Sequence, residues 1–254
     1  MKREAQEEAS EGSRDTLRER RFTSDERGPG QLILVGTPIG NLGDISQRVI
    51  ETLRSVELIA AEDTRHTRIL LSRHEIHVPM TSYHSYNARA KGPQLIDRVR
   101  SGDRVAVVTD AGMPGISDPG TRLVRLAIDA GVSVSAVPGP TAFLTALVLS
   151  GLPTHRFVFE GFLPIKSGAR RTRLTALADD ERTLIFYESP HRLVPMLEDV
   201  LAVVGDRQAS ISRELTKQFE ETLRGSLSQL LANFRQPNPR GEFVVVLSGN
   251  ILRK

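Results

Sequence analysis

Cysteine is absent from the 254-residue chain. Disulfides, thiolate nucleophiles and Cys-ligated zinc or iron–sulfur centres are therefore excluded. No run approaches the roughly 18 consecutive apolar residues of a membrane-spanning helix. The N-terminus also lacks the apolar core of a secretory signal, so the expected compartment is the cytoplasm. Several catalytic signatures are missing too. There is no G-x-G-x-x-G dinucleotide fingerprint and no P-loop, and no G-x-S-x-G elbow of a Ser-His-Asp hydrolase. The six histidines are scattered, and His74-Glu75-Ile76-His77 is no H-E-x-x-H motif, so no metal is expected.

What remains is ordinary globular composition, 39% hydrophobic and 26% charged, enough for one large domain or two small ones. The net charge of +3 suits a polyanionic partner without requiring one. Met1–Gly30 holds seven basic and eight acidic residues, almost no large apolar ones, and ends in Gly28-Pro29-Gly30. Such a segment buries too little surface to offset its ordering entropy and is expected to be a disordered leader. It could be a tether or a dispensable tail.

From Gln31 the pattern changes. Leu32–Val35, Leu58–Ala61, Val105–Val108 and Val132–Val137 are short apolar runs, as buried strands are. Helices are expected between them: one opened by Asp44 and Gln47 in capping-box fashion with Ile45, Val49 and Leu53 on one face, then Thr67–His74, Pro93–Arg100, Thr121–Ala130 and Thr141–Leu149. Continuous apolar strands alternating with helices indicate a parallel sheet covered on both faces. Gly151-Leu152-Pro153 breaks the rhythm and is the candidate boundary. Beyond it, strands are expected at Phe157–Phe159, Thr183–Tyr187, Ala209–Ser212 and Phe243–Leu247, and helices at Ala169–Leu177, Arg192–Val204 and Ser226–Phe234. The fold class expected is α/β, as two α/β domains over 31–151 and 152–254, with one continuous domain as the alternative.

In α/β sheets, ligands bind beyond the carboxyl ends of strands. The first strand is followed by Gly36-Thr37-Pro38-Ile39-Gly40-Asn41, a spacing that a tight turn and a binding loop satisfy equally. The third is followed by Thr109-Asp110-Ala111-Gly112-Met113-Pro114-Gly115-Ile116-Ser117-Asp118-Pro119-Gly120. A simple connection needs only a few residues, so Asp110 is expected to meet a ligand, such as a ribose diol or an ammonium, whereas Asp118 is expected to start a helix. The fourth is followed by Pro138-Gly139-Pro140-Thr141-Ala142. After the second strand, Glu62-Asp63-Thr64-Arg65 could hold a catalytic carboxylate or simply a helix start capped by Asp63.

The second half offers Tyr187-Glu188-Ser189-Pro190-His191-Arg192 and Arg213-Glu214-Leu215-Thr216-Lys217 at strand ends. Glu188 or Glu214 could act as general base; His191 is a weaker candidate, because a lone histidine is more often packed or on the surface. Lys217 could be a base only if burial lowers its pKa. Lys166, Arg170, Arg171 and Arg173 form a basic cluster that could contact phosphates or be a solvated helix face. Arg240-Gly241-Glu242 precedes the last strand and could close a cleft.

Val35-Gly36-Thr37-Pro38-Ile39-Gly40-Asn41-Leu42, Ala61-Glu62-Asp63-Thr64-Arg65, the Asp110–Gly120 loop, Pro138-Gly139-Pro140-x-Ala142, Gly161-Phe162-Leu163-Pro164, Tyr187–Arg192, Arg213–Lys217 and Gly241-Glu242 together resemble the ribosomal RNA small subunit methyltransferase I family, within the tetrapyrrole-methylase-like superfamily. The resemblance spans about Gln31 to Gly249. Met113 departs from it, since the family pattern carries Ser or Thr there. The resemblance implies two α/β domains with S-adenosylmethionine (SAM) in the cleft between them, usually a homodimer. It implies 2′-O-methylation of cytidine 1402 in the decoding centre of bacterial 16S rRNA in the small subunit. It also implies SAM contacts from Thr37, Pro38, Gly40, Asp110, Gly112, Met113, Ile116, Ser117, Pro138, Thr141 and Ala142, faced by Tyr187, Arg213, Gly241 and Glu242. The expected catalytic group is drawn from Glu188, Glu214 and Lys217. Two rivals stay open: a tetrapyrrole methylase that ignores RNA, and a ribosome assembly factor that binds without transferring methyl groups.

Overall fold

Alternation along the strands explains why the chain builds layers. The computed structural model describes residues 29–235 and 239–250. All of the expected leader except Pro29 and Gly30 therefore lies outside the described residues. The first sheet contains β1 (Gln31–Val35), β2 (Leu58–Ala61), β3 (Met80–Ser82), β4 (Arg104–Val108) and β5 (Ser133–Val137) in the order β3-β2-β4-β1-β5. Every neighbouring pair is parallel. Its helices are α1 (Gln47–Ser55), α2 (Thr64–Arg73), α3 (Ala88–Arg100) and α4 (Gly120–Asp129). Leu32, Leu58, Ala60, Val105 and Val107 point to one face and pack with Leu95 and Val99 of α3 and Leu123 of α4. The intervening Ile33, Ile59, Ala61, Ala106 and Val108 point to the other, against Val49 and Leu53 of α1 and Leu71 of α2. Both faces of β1, β2 and β4 are dry, which is why these strands read as unbroken apolar runs. Each fully buried Leu, Ile or Val contributes roughly 1.5–3 kcal/mol.

The second sheet contains β6 (Phe157–Phe162), β7 (Thr183–Glu188), β8 (Gln208–Arg213), β9 (Glu221–Ser226) and β10 (Phe243–Leu247) in the order β6-β7-β10-β8-β9. Only β6 and β7 are parallel; the other pairs are antiparallel. Leu184, Phe186, Ile211, Val245 and Leu247 pack under α6 (Ser167–Leu177), α7 (Pro190–Val204) and α8 (Leu227–Phe234). The opposite face, with Ile185, Val244 and Val246, is covered by Ala146 and Leu147 of α5 (Ala142–Ser150) and by Ile39 from the loop after β1. Thus α5 precedes Gly151 in sequence yet packs on the second sheet. Gly151 ends it at φ +74°, a left-handed conformation suited to glycine.

Several boundaries differ from the sequence reading. Asp44 ends a 3₁₀ turn, Leu42–Asp44, and α1 is capped instead by Ser46, whose hydroxyl accepts the Val49 N–H. Gln47 pairs with Glu51 rather than reaching back. Proline favours helix starts, but Pro93 lies inside α3. Ala88 N–H and Lys91 N–H already donate to His84 and Asn87 carbonyls, so the helix begins earlier. β3 and β9 were not expected. Both are edge strands without a fully buried residue, so neither carries an apolar period.

The basic cluster is corrected in part. Arg170 is only 4% exposed, and its guanidinium bonds Asp199 of α7 at 2.6 and 2.8 Å. Because α6 packs on α7, this arginine neutralises a buried carboxylate and is withdrawn from any phosphate contact. Arg171 also reaches Asp199, and Arg173 bonds Glu160, both from half-exposed positions; Lys166 stays exposed. Asp199→Ala leaves Arg170 buried without its partner and is expected to cost about 3–5 kcal/mol. Arg171→Ala is expected to cost at most about 1 kcal/mol. Urea denaturation of the two variants checks the contrast; equal losses would contradict it.

Candidate active site

The carboxyl ends of β1, β4 and β5 are locked together by backbone. A Cβ on Gly36 would lie 2.6 Å from the Gly139 nitrogen, and one on Gly139 would lie 2.7 Å from the Gly36 carbonyl carbon. Only glycine at both positions allows this approach. Thr37 N–H donates to Gly112 O at 2.9 Å, and Gly112 N–H donates back to Thr37 O at 3.1 Å. The Thr37 hydroxyl donates to Thr109 O, and Met113 Sδ accepts the Gly139 N–H at 3.2 Å. Met113 thus supplies the link between the second and third loops, with a weak sulfur acceptor. Asp118 Oδ1 accepts the Gly115 and Gly120 N–H groups, so it ties the long loop to the start of α4. Ser117 is held at φ +63°, a strained conformation of the kind that gathers at functional sites.

From the second sheet, the antiparallel register brings Glu188 of β7 and Arg213 of β8 level with Phe243 at the start of β10. The ends of all three strands meet at one edge, facing the loops of the first sheet. Between them lies a cavity of about 480 Å³, within the usual range for small-molecule sites. Asp110, Gly112, Met113, Ile116, Ser117, Thr141 and Ala142 line it from one side, and Tyr187, Glu188 and Glu242 from the other. Ile39, Phe162, Leu215 and Val244 make apolar wall.

Not every expected residue reaches this cavity. Thr37, Pro38 and Gly40 line a neighbouring cavity of about 200 Å³. Pro138 and Gly241 line neither; Gly241, at φ +95°, is pressed against the Glu214 side chain, where a Cβ would fall 2.5 Å from Cγ. Arg213 is ion-paired to Glu221 at 2.8 Å and lies outside both cavities. Lys217 Nζ bridges Glu214 Oε1 and Glu242 Oε2 at 3.0 Å each. Burial opposes the ammonium, but the two carboxylates outweigh it and its pKa is raised. The route by which Lys217 could be a base is closed. Burial also opposes the Glu214 charge, yet Lys217 and the Glu242 N–H hold its pKa below the ordinary value.

Glu188 differs from both. It is 2% exposed, and Oε1 accepts the Ser189 N–H at 2.9 Å and meets Arg192 at 3.1 Å. Oε2 is buried without a hydrogen-bond partner. Burial raises its pKa, offset only in part by Ser189 and Arg192. Glu62, weighed in the sequence only as part of an acidic pair, also lines the cavity. Its Oε2 accepts the Thr109 hydroxyl at 2.5 Å and faces the Asp110 N–H. Its place at the end of β2, beside β4, was the available signal. Asp63 is the cap of α2, accepting the Arg65 N–H.

Asp110 has its pKa raised, first by burial and then by the charge of Glu62, with the Asp63 N–H opposing. The folded state therefore favours the protonated acid. Stability from this group is complete below the ordinary carboxylate pKa and is lost as pH rises through the raised value. Asp110→Asn escapes that loss. Its melting temperature relative to the unaltered protein is expected to climb as pH rises above the ordinary carboxylate range; a pH-independent difference in circular-dichroism melts would contradict this.

The family described as Tetrapyrrole (Corrin/Porphyrin) Methylases matches residues 31–231. A protein of Micromonospora olivasterospora named ribosomal RNA small subunit methyltransferase I is 51% identical over 228 residues, covering 89% of this chain and 73% of that protein. One of the same name from Thermotoga maritima is 46% identical, covering 87% and 99%. The crystal structure of uroporphyrin-III-C-methyltransferase from Thermus thermophilus superposes with a TM-score of 0.62 at 21% identity, covering 85% of this chain and 94% of that one. That likeness concerns the fold. The chain belongs to the tetrapyrrole methylase family and, within it, to the ribosomal RNA small subunit methyltransferase I group.

Proposed function

We propose that the protein transfers a methyl group from SAM to the 2′-hydroxyl of cytidine 1402 in 16S rRNA of the small ribosomal subunit, in the cytoplasm. The observation that carries this reading is the cavity between the two sheets, whose lining suits SAM. Asp110 carries no salt bridge among the described residues, and its raised pKa marks a carboxylate short of positive charge; a ligand's ammonium or ribose diol would relieve it. Ile39, Ala142, Leu215 and Val244 offer apolar contact for a purine ring. Gly112, at φ +84°, brings backbone to the cavity wall. The names of the relatives supply the rRNA half of the proposal. The Lys166–Arg173 segment supplies less than expected, since Arg170 is committed to Asp199.

Bound there, SAM supplies an electrophilic methyl group on a positively charged sulfur. The chain's own work is positional: an acceptor oxygen must be held in line, about 3 Å from the methyl carbon, with water excluded. A ribose hydroxyl is a weak acid, so its proton needs an acceptor as the new bond forms. Of the three expected candidates only Glu188 lines the cavity, and its partnerless Oε2 is the oxygen assigned that proton. Lys217, held as a cation by Glu214 and Glu242, braces this wall of the cleft.

With labelled SAM and small subunits lacking the modification, the protein is expected to label one 2′ oxygen of 16S rRNA. Glu188→Gln is expected to lower kcat at saturating donor by about 10²- to 10⁴-fold. Asp110→Asn is expected to weaken donor binding about ten- to a hundredfold, the loss of a charge-assisted hydrogen bond. No labelled rRNA, or label on a base, would sink the reading; unchanged turnover in Glu188→Gln would remove only the base.

A further inference from the structure

The smaller cavity is walled by Thr37, Pro38 and Gly40 of the loop after β1, by Leu42, and by His66, Thr67, Ile69 and Leu70 of α2. Thr109 and Asp110 complete it, and the same two residues line the larger cavity. A second junction lies near Gly40, where a Cβ would fall 2.5 Å from Lys217 Cγ. The Lys217 stem therefore packs on Gly40, a wall residue of the smaller cavity, while its ammonium bonds Glu242, which lines the larger one. The two cavities are neighbours through Thr109 and Asp110, and group transfer asks for adjoining seats, since donor and acceptor must lie within bonding distance.

We propose that the smaller cavity seats the flipped-out target nucleotide, with its ribose at the Thr109–Asp110 wall, its base against Leu42 and Ile69, and its flanking phosphates toward Arg65 and Arg68. This rests on the reading of the chain as an rRNA methyltransferase. The rim has the chemistry such a nucleotide requires. Ile69 and Leu42 are 63% and 40% exposed, apolar surface left open at the cavity rim. An unstacked base covers such surface when it is splayed from its strand. Arg68 is exposed and carries no salt bridge among the described residues. Arg65 pairs with Asp63 across 2.7 Å, but its side chain is 86% exposed. A surface pair of that kind contributes little, so phosphate can displace it. His66 lies close enough to Asp110 to lower its pKa and presents an imidazole for a hydroxyl or a base edge. Glu188 belongs to the larger cavity, so the ribose is the part assigned to the shared Thr109–Asp110 edge, while base and phosphates stay on the α2 side.

The test uses SAM, unmodified small subunits and two variants on the exposed face of α2, His66→Ala and Ile69→Ser. Each is expected to lower kcat/KM for the subunit by about tenfold or more, mainly through KM. The dissociation constant for SAM, from equilibrium dialysis, and the melting temperature should stay unchanged. Arg125→Ala, on the exposed side of α4, should transfer normally. Should His66→Ala fail to fold, Ile69→Ser decides alone. Normal kcat/KM in the folded variants overturns the seat and leaves the function standing; so does a loss of SAM affinity in step with transfer. Failure of the unaltered protein to label rRNA overturns both.

Discussion

Two glycines set the geometry on which the site depends. Gly36 and Gly139 meet backbone to backbone, closer than any side chain would allow. That contact places the ends of β1 and β5 side by side. The exchanged Thr37–Gly112 hydrogen bonds then add the end of β4, and the sulfur of Met113 ties the long loop back to Gly139. Backbone groups at all three strand ends are thereby satisfied by one another, and the long loop is free to turn its remaining faces to the cavity. Close packing here is a matter of steric permission: few side chains are involved, and the loops owe their shape to what is missing from two residues.

The opposing wall is built by charge. Glu188, Glu214 and Glu242 gather at one edge because antiparallel register delivers the ends of β7 and β8 and the start of β10 to the same place. Three carboxylates so near one another would repel, and the chain resolves this unevenly. Lys217 takes two of them, leaving Glu214 ionised, whereas Glu188 has Arg192 on one oxygen only and stays harder to ionise. Environments that separate the pKa values of like groups separate their possible roles.

Much of this was legible beforehand, for identifiable reasons. Strands buried on both faces, such as Leu32–Val35 and Val105–Val108, announce themselves as apolar runs. Gly- and Pro-rich stretches after them mark the loops that line the cavities, because a simple connection would be shorter. Edge strands β3 and β9 were illegible because solvent covers part of each and no period survives. Arg170 misled because sequence shows a charge but not its direction, and the partner Asp199 lies on the next helix. The roles of Lys217 and Gly241 depend on contacts between distant segments, which local patterns do not carry. Glu62 was visible as a carboxylate at a strand end, but its bond to Thr109 required the β2–β4 neighbour relation.

The placement of α5 has a mechanical outcome. Its body is bound to the second sheet, while its approach, Pro138-Gly139-Pro140, is anchored to the first through Gly139 and Gly36. Thr141 and Ala142, at the hand-over, stand in the cavity wall. Any swing of one sheet against the other has to flex that five-residue strap, in which two prolines fix φ. The strap therefore works as a stay between the two sheets, resisting a change in the width of the cleft.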